Sequence, residues 1–259
     1  MEQKIDMIVN RLPAKTWNRL SVNQAEIKNL EADGWQRPAV TVRYPKDEKP
    51  IVRELTTEQE SSVYKKMEQI RTGMGAEVSR LKPGDATDIC VETVEEGGES
   101  DERRERMRRD EVVLVLDYPD RKNCFQDVKI YARAGESVTV WTVVRSKKDA
   151  EGKAVLRTLL QAEENAKIRL VQVDLLGDRM QLFNDIGVES GKQAQIEVMQ
   201  LFLGAEKIWA GSYAALTGEK SNLQLDAGYY REKQQLLDMN YVARHLGRKT
   251  GSLMESNGI

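Results

Sequence analysis

The sequence contains two cysteines and one histidine, the side chains that most often serve as nucleophiles or metal ligands. Cys90 and Cys124 are too few and too far apart for a disulfide framework or a zinc site. A role as a small buried side chain is therefore favoured for each. Because His245 is the only histidine, neither a histidine-based triad nor a two-histidine metal site can form. His245 is the one candidate metal ligand, and a structural role is favoured for it.

Composition excludes several functional classes. The 259 residues include 40 basic and 42 acidic side chains, so the net charge is -2 and nothing favours binding to nucleic acid or to an anionic membrane. No apolar run approaches the roughly 20 residues that span a bilayer, and the start, Met1 to Asp6, lacks the pattern of a signal peptide. We expect a cytoplasmic protein with no membrane partner.

The first half predicts a small irregular α/β region, residues 1–110. Its opening part, up to Leu55, indicates a short helix or coil followed by an extended segment, in which Val40 to Tyr44 alternates like a strand. Thr56 to Glu60 resembles a helix N-cap, and apolar residues follow at helical spacing. Near 95–111, eight acids and five arginines predict a charged linker or a solvated helix.

From residue 111 to residue 259 the pattern is one of strands, and the strands repeat. Val138, Ile168, Ile196 and Leu223 each begin an alternating apolar segment after a turn, and the segments recur at an almost constant interval. A fixed period of about 28 residues, carried by strands, is the signature of a stacked solenoid. We predict an all-β fold, a right-handed parallel β-helix. A β-sandwich is the alternative, although its strands usually turn at much shorter intervals.

Two stretches resemble a known family. Val9 to Asn23 resembles the opening of SufD-type iron–sulfur assembly proteins. The tail matches the track Q-x-x-D…H-x-G-x-x-T-x-S of the SufB/SufD core with Gln235, Asp238, His245 and the residues to Ser252. Gly211 to Tyr213 and Ser221 to Tyr229 also fit that family's spacing. The likeness is strongest over 110–259 and over 1–25.

The resemblance implies a subunit of the SUF machinery. Its β-helix would pair with a SufB-like subunit, or with a second copy, and it would work with a SufC-like ABC ATPase. The family continues beyond the point that corresponds to Ile259, so we expect a C-terminally shortened chain whose exposed end causes it to dimerise or aggregate. His245 falls on the family's histidine position, which we interpret as a turn or stacking role.

Iron–sulfur chemistry depends on soft thiolate ligands, and no cysteine follows Cys124. This favours a SufD-like, non-catalytic scaffold that binds no cofactor by itself, with a cluster touching the complex transiently. The sequence has no G-x-x-x-x-G-K-[ST] motif, so ATP hydrolysis would belong to a separate subunit.

Two alternatives stay open. Some parallel β-helices are polysaccharide lyases or hydrolases, and Asp174, Asp178, Arg179 and Asp185 could supply their acids and bases. A β-helix that only associates with itself is the other.

Overall fold

The computed structural model describes residues 4–13, 24–44, 50–56, 58–93, 110–232 and 234–259. In these ranges two short helices occur, α1 (Ser62–Met67) and α2 (Ala76–Ser79). The strands are β1 (Lys4–Val9), β2 (Ala25–Glu31), β3 (Ala39–Arg43), β4 (Ile51–Thr56), β5 (Thr87–Glu92), β6 (Asp110–Asp117), β7 (Lys122–Ala132), β8 (Ser137–Arg145), β9 (Glu151–Ala162), β10 (Lys167–Leu175), β11 (Arg179–Ser190), β12 (Gln195–Phe202), β13 (Lys207–Leu216), β14 (Asn222–Tyr229), β15 (Leu236–His245) and β16 (Gly251–Gly258).

From β6 onward, successive strands alternate between two sheets. Sheet I has the order β16-β14-β12-β10-β8-β6-β3, and sheet II has the order β15-β13-β11-β9-β7-β5-β4. Neighbouring strands from successive coils run parallel, and the solenoid makes about five turns. The predicted all-β parallel β-helix is therefore confirmed. The β-sandwich alternative is wrong, because the repeat places each strand beside the strand one coil away.

The repeated positions in the sequence are neighbours in sheet I. Val138 pairs with Ile168, Ile168 with Ile196, and Ile196 with Leu223. Their side chains are buried inside the solenoid. The period read from the sequence is thus the length of one coil, and each coil covers the apolar inner face of the coil before it.

One corner of every coil uses the same backbone conformation. Where sheet II leads into sheet I, a single residue has a positive φ, and the set is Gly135, Asn165, Gln193, Lys220 and Lys249. The N–H of each of the first four donates to a carbonyl of the next corner, for example Asn165 to Lys192 at 2.8 Å. A positive φ is uncommon outside glycine, and this ladder stabilises it.

A chain of polar side chains crosses the otherwise apolar interior. Gln172 accepts hydrogen bonds from Asn184 and Gln200 at 2.9 and 3.0 Å and donates to Thr158 at 3.0 Å. The hydroxyl of Tyr241 donates to Gln200 at 2.7 Å. Mutual bonding removes most of the cost of burying these groups.

The N-terminal region extends both sheets and covers the outside of sheet II. β3 and β4 pair antiparallel with β6 and β5, while β5 runs parallel to β7. The hairpin of β1 and β2 packs with α2 on the outer face of sheet II.

Three N-terminal expectations can be compared with this region. The expected helix or coil at the start is wrong for 4–9, because Met7 and Val9 alternate onto that apolar face and form a strand. The helix begins at Ser62 rather than near Thr56, because Thr56 pairs with Thr87 in the sheet. Val40 lies in a strand as predicted.

Two other features lie outside the described residues. They are most of the charged linker near 95–111 and residues 14–23 of the family-like opening. Whether 110 divides the chain into two domains stays a prediction.

Candidate functional site

His245 ends β15 at an exposed position near the last coil. Its Nδ1 lies 2.8 Å from Thr250 Oγ1, and its Nε2 lies 3.1 Å from Ser252 Oγ. Both ring nitrogens are therefore engaged by hydroxyl groups of the following turn and strand. This geometry favours the turn-bonding role over metal ligation.

Both cysteines are fully buried. Cys90 packs with Tyr64, Met67 and Leu159 on the outer side of sheet II, whereas Cys124 belongs to the solenoid interior. Burial raises the pKa of the Cys90 thiol to about 12 and that of Cys124 to about 11. Neither thiol is thus poised as a thiolate, the form that attacks sulfur or binds metal.

The acids and the base of the lyase alternative do not converge. Asp174 is buried and its carboxylate accepts the Leu176 N–H at 2.9 Å, so it shapes a corner. Asp185 is fully buried beneath the N-terminal region, where it accepts the Met74 N–H at 2.8 Å. Asp178 and Arg179 are exposed on a third surface. A glycosidase needs two carboxyl groups on either side of one bond, and this arrangement does not provide them.

Asp178 and Arg179 line a groove of about 1670 Å³ along one corner of the solenoid. Its described lining carries five basic and five acidic side chains: Arg121, Lys148, Lys153, Arg179, Arg231, Glu31, Glu151, Asp178, Glu206 and Glu232. A balanced lining of this kind gives no field that would attract an acidic polymer.

A buried ionic cluster joins the N-terminal region to sheet II, and sequence reasoning missed it. Lys129 points outward from β7 with no exposed surface. Its Nζ lies 2.5 Å from Glu60, 2.7 Å from Glu68 and 2.9 Å from Asp88. The signal was present in the sequence, because the charged residues Asp127 and Lys129 alternate with the apolar residues Val128 and Ile130 in one strand.

Three further residues complete the cluster. Lys82 Nζ lies 2.7 Å from Asp88 and 2.9 Å from Asp127. Arg157 makes two 2.6 Å bonds to Asp127 and one 2.7 Å bond to Glu68. A bidentate pair of this kind is among the stronger polar contacts in proteins. The cluster thus links β5, β7 and β9 to the segment that carries α1 and α2.

The charges in the cluster set the protonation of its members. Burial opposes ionisation of Glu68, but Arg157, Lys129 and Lys82 outweigh it and lower its pKa to about 2. Burial likewise opposes the charge on Lys129, yet the surrounding carboxylates raise its pKa. Burial raises the pKa of Glu60 despite the Lys129 ammonium. The cluster contains four carboxyl groups and three basic groups: Glu60, Glu68, Asp88, Asp127, Lys82, Lys129 and Arg157. With a proton on Glu60, its net charge would be zero.

Glu60, Glu68 and Asp88 are the group of carboxylates close enough to hold a metal ion among the described residues. The Lys129 ammonium lies within 2.9 Å of all three and so takes the position that a cation would need. The residues present do not fit a metal ion. The cluster instead fixes the N-terminal region on the solenoid.

The segment between α1 and α2 also lies in close backbone contact with β13. A Cβ atom on Gly73 would lie 2.0 Å from the Ser212 nitrogen, and one on Gly211 would lie 2.6 Å from the Met74 nitrogen. Arg71 stacks over the ring of Tyr213 at 4.5 Å. Beside them, Phe183 and Trp209 stack at 4.9 Å within the apolar layer under the hairpin.

Asn10, at the end of β1, anchors that hairpin. Its side chain donates to the Ala210 carbonyl at 3.3 Å and to the carboxylate of Asp238. Asp238 belongs to the family-like tail, so one of the matched polar residues serves the hairpin contact.

These features define the class of the protein: a parallel β-solenoid that carries an N-terminal region fastened to one sheet. Compared with protein-family models, residues 116–259 match the SufBD core domain of SUF system FeS cluster assembly. The match covers more than half of the chain and coincides with the solenoid, so the chain belongs to the SufBD family. Membership gives it a role in iron–sulfur cluster assembly by the SUF system.

Two other comparisons gave no match. None of the curated proteins or the solved structures is significantly similar to the chain. In the part of the chain that the structure describes, neither helix has the length and apolar character required to cross a bilayer.

Proposed function

We propose that the chain is a SufD-like scaffold subunit, without catalytic activity of its own, within the SUF assembly complex. The proposal depends on one combination of features. Residues 116–259 match the SufBD core domain, and this solenoid segment contains no cysteine after Cys124. Cys124 is itself buried, and its thiol pKa is raised to about 11. A subunit that accepts sulfur needs an accessible thiolate, which favours the scaffold role.

A SufB-like β-helix is the proposed partner, because the chain has the SufBD core fold and members of this family act within the SUF assembly system.

ATP hydrolysis would come from a SufC-type ATPase, because the sequence has no phosphate-binding loop of the Walker type. Iron and sulfide would be cargo of the complex rather than resident cofactors of this chain.

Co-expression with a SufB-like protein and a SufC-type ATPase tests the proposal. We expect a complex of all three on size exclusion. An unrelated β-helix protein carrying the same tag is the control and should retain neither partner. Failure of the tagged chain to retain either protein would refute the assignment.

A further inference from the structure

The outer face of sheet I carries an apolar patch that runs diagonally from β6 to the residue after β14. Its first row consists of side chains paired in register on four strands, Val113, Trp141, Val171 and Met199. Its second row lies two residues further along the same strands, Val115, Val143, Val173 and Leu201. At the corner beyond, three neighbouring side chains are each about half exposed: Leu175 at 47%, Leu203 at 47% and Tyr230 at 49%.

The two sheets differ in how their outer faces are covered. On sheet II, the hairpin and α2 cover an apolar row in which no residue is more than 8% exposed, Phe125, Val155, Phe183 and Trp209. On sheet I, six of the eight side chains in the two rows are partly exposed. Parallel sheets normally have both faces covered, so the outer face of sheet I has the character of an interaction surface.

The residue types in the patch are those that protein interfaces favour. Tryptophan, tyrosine and methionine are enriched at interfaces, and the patch presents Trp141, Tyr230 and Met199 at partly or half-exposed positions. The indole N–H of Trp141 donates to the carboxylate of Glu111 at 3.0 Å, which holds the ring on the face. A partner would therefore meet a side chain that is already ordered, which lowers the entropic cost of binding.

The dimensions of the patch match those of an α-helix. From Val113 to Tyr230 the patch crosses four strand spacings of about 4.8 Å and four residues of about 3.3 Å, so it is roughly 23 Å long. Its middle, on β8, β10 and β12, is roughly 14 Å wide. A helix with its side chains is about 10–12 Å in diameter, and about 15 residues of helix span the same length.

One flank of the patch is acidic. Asp226 on β14 adjoins Met199, and Glu255 on β16 adjoins Asp226 in the same row. Asp226 accepts a hydrogen bond from the Gln224 amide at 2.9 Å, but neither carboxylate forms an ion pair with a residue that the structure describes. Like charges on adjacent strands are unfavourable, so a basic group placed beside both would be stabilised.

The other borders of the patch carry no excess of acid. Four basic and three acidic side chains lie there: Arg43, Arg145, Lys167, Arg169, Glu111, Asp117 and Glu197. Most of these charges are paired with one another, since Lys167 and Arg169 both contact Glu197, and Arg145 contacts Asp117. The unpaired acidic charge is therefore confined to the flank on β14 and β16.

We propose that this face binds an amphipathic helix of a partner protein, whose apolar stripe lies on the patch and whose basic flank faces Asp226 and Glu255. Helices are the elements that usually cover the faces of a parallel sheet. Such a helix presents apolar side chains at spacings of three and four residues, and lysine or arginine beside them would reach the two carboxylates. The inference concerns the side of the solenoid and does not depend on pairing with a SufB-like β-helix.

Binding of synthetic peptides to the purified chain tests the proposal. The probe is a peptide of about 15 residues, made of leucine, alanine and lysine, with leucine at helical spacing and lysine along one flank only. One control peptide has glutamate in place of lysine, and the other has the same composition in an order that disperses the leucines around the helix. We expect fluorescence anisotropy to show that the lysine helix binds at least tenfold more tightly than either control.

A substitution in the chain locates the binding site. Met199→Lys should weaken binding of the lysine helix at least tenfold, because it places a positive charge in the apolar patch. Leu246→Lys, at a 54% exposed position off this face, is the matched control and should leave the affinity unchanged.

A charge reversal keeps the test independent of folding. Asp226→Lys combined with Glu255→Lys retains the patch and inverts the charge of its flank. We expect this double variant to bind the glutamate helix more tightly than the lysine helix. A partly unfolded chain would lose binding to both peptides, so it would not produce this exchange of preference.

Disulfide tethering places the helix on the patch. Val173→Cys should form a mixed disulfide with a lysine helix that carries one cysteine among its leucines, because binding brings the two thiols together. Lys147→Cys, at an exposed corner, is the matched control and should give a lower yield under the same thiol–disulfide exchange. The native thiols are buried and do not interfere.

Three results would overturn the proposal. The first is equal behaviour of the lysine helix and its two control peptides, including no binding of any of them at several hundred micromolar. The second is binding that tolerates Met199→Lys, since the helix would then lie elsewhere on the chain. The third is a chain that dimerises on sedimentation and becomes monomeric with Met199→Lys, since that pattern assigns the face to a second copy. Each measurement uses the isolated chain, so its outcome is distinct from that of the co-expression experiment.

Discussion

Lys129 lies between Val128 and Ile130 in β7, and its ammonium is surrounded by three carboxylates. A buried charge in a strand is costly unless oppositely charged partners surround it. Here they come from the turn before α1, from the end of α1 and from β5. One residue thereby fastens the N-terminal region to the solenoid.

Lys129→Met should lower the free energy of unfolding by about 3–5 kcal/mol, because it leaves buried carboxylates without their cation. Urea unfolding followed by tryptophan fluorescence measures the change. Lys192→Met is the matched control. It removes an exposed ion pair with Glu164 and should leave the urea concentration at half-unfolding unchanged. Equal stability of both variants would show that the cluster does not fasten the region.

Gly73→Ala should displace the segment around it, because the added Cβ would lie 2.0 Å from the backbone of Ser212. We expect faster proteolysis near 70–75 and a loss of about 1–3 kcal/mol, as for other overpacked sites. Gly84→Ala is the matched control, since no atom lies within 4 Å of its Cβ position. If both variants resist protease equally, the backbone contact is not required.

At the scale of elements, the repeat made the strands of sheet I predictable. The alternation of apolar and polar residues predicted which side chains of these strands point inward. The turn residues before Ile168 and Ile196 predicted the corners of the coils, which the structure places at Asn165 and Gln193. The partners of Lys129 and Asp185 could not be predicted in the same way, because they are distant in the sequence and belong to no repeat. Alternation at Met7 and Val9 did signal β1, but its short run is also compatible with a helix or coil.

Asp185, where the segment before α2 meets sheet II, should make stability depend on pH. Burial raises its pKa to about 7, although Met74 and Arg157 favour the charged form. The folded chain therefore keeps a proton that the unfolded chain releases near pH 4, so stability is lost as the pH rises from about 4 to 7. Glu68, with a pKa of about 2, acts in the opposite sense and loses its contribution as the pH falls below about 4.5.

Asp185→Asn cannot ionise and keeps an oxygen for the Met74 N–H. We expect its free energy of unfolding at pH 8 to be up to about 4 kcal/mol above that of the wild type, and the difference to fall below about 2 kcal/mol at pH 5. Denaturant titrations at the two pH values provide the measurement. Asp178→Asn, at an exposed position, should show no such difference. A pH-independent effect of Asp185→Asn would contradict the mechanism.

At the scale of the whole molecule, each coil contacts only its neighbours. Val140, Leu170, Val198 and Leu225 form one continuous column inside sheet I. All four are buried, whereas Met254, which continues the column in β16, is only partly buried. In such a stack, stability is a sum of coil and interface terms, so the middle coils should be the most protected.

Hydrogen exchange should therefore be slowest in β8 to β12 and fastest in β16. Leu170→Ala should cost about 2–5 kcal/mol and raise exchange mainly in β8, β10 and β12, because the cavity lies between Leu170 and its neighbours Val140 and Val198. Met254→Ala should cost less than about 1 kcal/mol, because its side chain is only partly buried, and raise exchange only in β14 and β16, where its neighbours lie. Mass spectrometry of exchanged peptides measures both effects. If Met254→Ala also raised exchange in β8, the coils would unfold as one cooperative unit rather than as a stack.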